Sequence, residues 1–104
     1  MKKYLILAAL CSVLASCQWY YENVASVDDC LNWHCDNVYE AAKEGDFEDF
    51  REAYIDLMEW YTSLDDSDRF KAESAMRNWK KSNKFKDKVI ENYFEEHAHK
   101  LPQY

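Results

Sequence analysis

One glycine and one proline in 104 residues leave this chain almost no means of making tight β turns. Hairpins draw on glycine at positive φ and on proline at fixed φ, so a chain poor in both is pushed toward helices joined by polar caps. The apolar residues follow the same logic. Val27, Leu31, Cys35, Val38 and Ala42 recur three or four positions apart and predict a helix over 27–43. Ser26 stands ahead of it as an N-cap, Asp28 and Asp29 lie in the first turn where the helix dipole favours acids, and Gly45 is its terminator. Asp46 caps a second helix striped by Phe47, Phe50, Tyr54, Leu57, Met58, Tyr61 and Leu64. Asp65-Asp66-Ser67-Asp68 is a polar turn that opens a third helix, with Phe70, Ala72, Ala75, Met76 and Trp79 on its apolar side. Ser82-Asn83 offers a cap to a last helix carrying Phe85, Val89, Ile90, Tyr93, Phe94 and His97, which Leu101-Pro102 stops. Short connections predict antiparallel neighbours. The expected fold is all-α: a small bundle of three to four antiparallel helices after a cleaved signal peptide.

The signal is read from the first seventeen residues. Lys2 and Lys3 make a positive start, and Tyr4 to Leu14 form an apolar run too short to span a bilayer as a helix. The run closes with Leu14-Ala15-Ser16-Cys17, which resembles the bacterial lipobox. The resemblance implies a cut just before Cys17, a thioether-linked diacylglycerol on that cysteine and usually a third acyl chain. Two or three chains hold a protein durably, where one alone holds it marginally. Gln18 rather than Asp after the cysteine resembles an outer-membrane address. The expected plan is a signal peptide over 1–16, a lipidated tether over 17–25 and a single helical domain over 26–104. Trp19, Tyr20 and Tyr21 suit either the headgroup layer or an ordinary exposed tether.

A second likeness lies further on. Tyr39, then Gly45-Asp46-Phe47-Glu48-Asp49 and Glu52-Ala53-Tyr54, is similar to the turn and second helix of a tetratricopeptide repeat. Phe50 stands where that repeat has a small residue, so the likeness implies the helical hairpin and not the peptide-binding groove. Lipobox, size and hairpin together resemble the short lipoproteins of Bacteroidetes-type genomes.

Charge is placed unevenly. Residues 17–68 hold 15 acids and two bases (Lys43 and Arg51), whereas residues 69–104 hold nine bases and five acids. Halves of opposite sign attract when the chain folds back on itself. The stripe of Lys80, Lys81, Lys84, Lys86 and Lys88 reads as a solvated helix face, or as a surface for anionic headgroups or an acidic partner. An acidic chain of this kind is repelled by phosphate, which excludes nucleic acid as a partner.

Cys30 and Cys35 admit two readings, a disulfide or free thiols. Five positions on a continuous helix set the Cα atoms roughly 8.5 Å apart, beyond the bridging limit of about 7 Å. A bridge would therefore require the first helix to start near Asp36, whereas the stripe through Leu31 and Cys35 favours a continuous helix with partly buried thiols. His34 lies one turn after Cys30, so Cys30, His34 and Cys35 with His97 or His99 form a candidate metal set. Their spacing matches no common zinc motif. No Gly-rich phosphate loop is possible with a single glycine, and the serines fall at caps and helix surfaces, so no enzyme is expected. No cofactor and no small-molecule substrate are expected either. Trp33, Trp60, Tyr61 and Tyr93 exceed what a core this small needs, which points to exposed aromatic anchors. The expected function is a membrane-anchored, non-enzymatic helical interaction module of the bacterial envelope, held at the outer membrane and meeting another envelope protein or a second copy of itself. The alternatives are an inhibitory, immunity or exclusion-type lipoprotein, or a Cys/His metal-binding protein.

Overall fold

The computed structural model describes residues 17–103, and every regular element among them is helical. A helical segment over 17–23 (α1) precedes α2 (Val27–Glu44), α3 (Phe47–Ser63), α4 (Asp66–Ser82) and α5 (Lys84–His97), and a 3-10 turn, Ala98–Lys100, closes the series. Residues 1–16, with Leu14, Ala15 and Ser16 of the lipobox, lie outside the described residues. Five α-helical segments among the described residues exceed the three to four expected. The extra one is α1, which falls within the stretch assigned to a tether. Tyr21 explains the order there: its ring stacks on Trp33 at 5.1 Å with 13° between the planes and packs against the core.

Helix starts follow the acids and the one serine. Ser26 Oγ accepts from the Asp29 amide at 3.2 Å, Asp46 Oδ1 from the Asp49 amide at 3.2 Å, and Asp65 Oδ1 from the Asp68 amide at 2.8 Å. Gly45 takes φ 72°, where an L side chain is strained, and its amide reaches back to the carbonyls of Ala41 and Ala42. Helix α3 has no base in its last turn. Arg69 of α4 supplies one, with Nη2 donating to the Leu64 carbonyl at 3.1 Å and the guanidinium 5.6 Å from the Tyr61 ring centroid. Asn83 acts differently from the expected cap. Its side chain donates to the Trp79 carbonyl at 2.9 Å, so it serves the end of α4 and makes no side-chain cap for α5.

That single residue between α4 and α5 decides the topology. The two-residue α2–α3 and α3–α4 connections reverse the chain, so α3 runs antiparallel to α2: His34 lies on Trp60, and Val38, Ala41 and Ala42 cluster with Phe50. One residue is too short for a reversal. Helix α4 meets the first half of α2 (Cys35 to Met76, Asp36 to Trp79), and α5 meets the second half (Tyr39 to Lys86), both running with α2. The α4–α5 pair is thus one leg bent at Asn83, which corrects the expectation that all neighbours would be antiparallel.

Helix α2 is the spine, packed by the other three, and two clusters line it. Cys30, Leu31, Cys35, Trp60, Ala72, Ala75 and Trp79 fill one end; Val38, Ala41, Ala42, Phe50 and Leu101 fill the other. Burying Phe50 completely stabilises the fold by roughly 1.5–3 kcal/mol. Two sequence expectations fail here. Phe70 is 66 % exposed and Phe85 76 % exposed. At 3.6 residues per turn Phe70 lies about half a turn round from Trp79 and so on the far side of α4. Phe85 sits in the first turn of α5, one turn ahead of Val89 where the packed stripe begins. Of the four aromatics in excess of a small core, Trp60 is buried, and Trp33, Tyr61 and Tyr93 are half-buried.

Candidate functional site

Helix α4 sits on α2 through its buried side chains Ala72, Ala75 and Trp79. Helix α3 packs on α2 through Phe50 and Trp60. The two meet sparingly along their length, and an apolar groove opens between them with α2 as its floor. Its upper part holds a cavity of about 240 Å³ among Leu31, Leu57, Met58, Tyr61, Ala72, Glu73 and Met76. Its lower part, of about 330 Å³, reaches Cys35, Val38, Phe50 and Tyr54, then Trp79 and Ile90 on the bent leg. Leu57, Met58 and Met76 line both parts, so the groove is continuous. The Tyr61 hydroxyl donates to Glu73 at 2.6 Å across one end, and Tyr54 and Phe94, 5.7 Å apart, cross the other. The lining is almost wholly hydrocarbon and thioether; its charges, Glu73, Lys80, Asp87 and Glu91, lie on α4 and α5. Methionine suits such a place because an unbranched thioether reshapes itself to whatever enters.

The cysteine and histidine residues take other roles. Helix α2 runs unbroken through Cys30 and Cys35; neither is in a disulfide and both are fully buried. Burial, with Glu22 adding to it, pushes the Cys30 thiol up to about 12. Burial does the same for Cys35, helped by Asp36 and Asp87 and opposed by Lys80. Thiols held protonated are poor nucleophiles. Cys35 points its Sγ at Met76 Sδ, 3.8 Å away, under the groove. His34 is 1 % exposed, lies between Trp33 and Trp60, and leaves Nε2 without a hydrogen-bond partner; burial drives its pKa down to about 4. The candidate metal quartet is not assembled. His97 stacks on Tyr93 at 4.3 Å and on Phe47 at the opposite end of the spine, and among the described residues no group of three ligands could hold an ion. Cys17, the candidate lipidation site, is part-exposed at the start of α1, free for a modification that needs access. Among the described residues no helix is long and apolar enough to cross a membrane. Among the described residues, Lys86 is the one member of the basic stripe that forms an ion pair with the acidic half, to Asp36 at 3.8 Å.

Compared with family models, curated proteins and solved structures, the chain matches none. Sequence reasoning found the stripes that line the groove but not the groove. The available signal was the flexible apolar side chains Leu57 and Met58 on α3 and Met76 on α4.

Proposed function

We propose that this protein is a lipid-anchored, non-enzymatic interaction module of the bacterial envelope, and that the α3/α4 groove receives an amphipathic helix of a partner protein. One observation carries the reading: a continuous apolar groove with a flexible methionine pair at its centre and acids outnumbering bases on its rim. Such a groove accepts apolar side chains at i, i+3/i+4 and i+7 of an entering helix, and its rim selects a helix flanked by lysine and arginine. Cys17, through the lipobox resemblance, supplies the anchor.

A photo-crosslinking residue at Met58 in living cells tests the groove. The expected result is one discrete adduct that is absent when the same residue stands at the exposed Phe85, and that is lost in Met76→Asp protein with an unchanged helical spectrum. No adduct at Met58, or equal adducts at both positions, overturns the reading. Anchoring is tested separately: Cys17→Ser is expected to release the protein from membranes, and retention with lipid label rejects the anchor alone.

The inhibitory or immunity-type reading is favoured by one feature, the exposed acids Glu48, Glu52 and Glu59 along α3. Charge reversal at all three is expected to abolish protection against a basic target, and full retention of protection rejects this second role.

A further inference from the structure

We propose that the cleft between α1 and α2 binds an organic ammonium group. The cleft, of about 400 Å³, lies on the other side of the spine from the groove and is lined by Tyr20, Tyr21, Trp33, Asp29, Asn32 and Asp36. Its aromatic lining is ordered: Tyr21 stacks on Trp33, and Tyr20 stands edge-on to Tyr21 at 5.4 Å and 84°. The face of a tyrosine or tryptophan ring attracts a weakly hydrated cation through its quadrupole, tryptophan most strongly.

The lining charges are of one sign. Asp36 accepts from Trp79 Nε1 at 3.3 Å and lies 3.8 Å from Lys86, so its charge is largely answered within the fold. The Asp29 carboxylate has no partner among the described residues, and no basic residue lines the cleft. The start of α2 adds a positive half-charge, which Asp28 and Asp29 together outweigh. An anion would meet two carboxylates here, whereas a cation gains the attraction of the exposed Asp29. A trimethylammonium or alkylammonium group satisfies both the rings and the acid, and the volume falls within the range of small-molecule sites.

Position narrows the source. Cys17 lies one helical turn from Tyr20 and Tyr21 on α1. If Cys17 is acylated, as proposed above, the cleft lies at the headgroup layer, where zwitterionic lipids present their ammonium groups. A free quaternary ammonium compound offers the same chemistry. Only the lipid source rests on the anchor; the binding chemistry does not.

The test titrates full-length protein in non-ionic micelles with choline chloride at constant ionic strength, following the Trp33 indole N–H resonance. A saturable shift in the millimolar range is expected, weakened at least tenfold by Asp29→Asn and by Tyr20→Ala. Both side chains are exposed, so neither variant threatens the fold, and circular dichroism checks this. The uncharged isostere 3,3-dimethylbutanol is expected to give no shift. Phosphatidylcholine vesicles that displace choline, where phosphatidylglycerol vesicles do not, assign the site to a lipid headgroup; failure to displace assigns it to a free ammonium compound. An equal response to the uncharged isostere, no saturable shift, or wild-type binding in both variants overturns the proposal.

Discussion

The two ends of the α2 spine are built from different chemistry. The end near α1 is made of thiols, an imidazole, two tryptophans and two alanines, and it continues into the groove. The far end is ring on ring: Phe50 lies 4.7 Å from Tyr93, and Leu101 folds back from the 3-10 turn to cover it. The groove runs past both ends, but the first carries titratable, polarisable groups beside it, while the second carries the ring packing that holds the legs together. The difference teaches where this small fold tolerates conditional behaviour and where it does not.

The most severe way to break that division is to empty the far end. Phe50 is 0 % exposed and is the largest fully buried side chain, so Phe50→Ala is expected to cost about 3–5 kcal/mol in urea denaturation. That is a large share of the stability of a domain this size. A cost below 1 kcal/mol would show that the far end is not the structural anchor.

The next largest effect belongs to the other end and depends on pH. His34 has a folded pKa of about 4 against an ordinary 6.5, so the unfolded chain binds the proton first on acidification. Stability is full above pH 6.5 and falls as pH drops toward 4, by about 3 kcal/mol in total. Asp56 works in the opposite sense. Burial, then Glu22, Glu52 and Glu59, hold its carboxyl above the usual range, so acid relieves a cost there. His34→Phe fills the same space between Trp33 and Trp60 without a proton to gain. The slope between pH 6.5 and 4 is expected to flatten in that variant, as read by thermal melts across the range. An unchanged slope would move the acid sensitivity elsewhere.

Much of this architecture was legible in the residues. The caps at Ser26, Asp46 and Asp65, the stop at Gly45 and the stripes of α2 and α3 are local rules that tertiary structure did not override. What the residues hid was relational. Periodicity assigns a face but not its partner, so the apolar stripes include Phe70 and Phe85, which the fold leaves exposed, and residue type does not say which of Trp33, Trp60, Tyr61 and Tyr93 the core takes in. The bend at Asn83 depends on a connection one residue shorter than a reversal needs. The groove depends on α3 and α4 both packing on α2 while meeting each other only sparingly. None of these is written in any one segment.

A milder perturbation separates backbone strain from packing at the turn that closes the far end. Gly45 is at φ 72°, and a Cβ built there meets nothing within 4 Å. Gly45→Ala therefore introduces no clash, only the left-handed backbone cost of about 1–2 kcal/mol. Chemical denaturation is expected to return that figure, with an unchanged denaturant slope. A cost near that of Phe50→Ala would mean that the α2–α3 turn, rather than the far cluster, sets the geometry of the spine.

The smallest expected effect is the most diagnostic for function. Phe70 and Phe85 are the two most exposed large apolar side chains on the legs, and neither belongs to a cluster. Exposed substitutions away from packed features change stability by less than about 0.5 kcal/mol. Phe70→Ser and Phe85→Ser are therefore expected to melt with the parent protein. Because the fold has no use for them, any loss of partner crosslinking from Met58 in Phe70→Ser has to arise from contact with the partner, extending the binding surface outward from the groove. Phe85→Ser, at the position that serves as the crosslinking control, is expected to crosslink as the parent does. If both variants crosslink as the parent does, the groove alone carries recognition. If either variant destabilises the fold, the division between a packing end and a working surface fails at that leg.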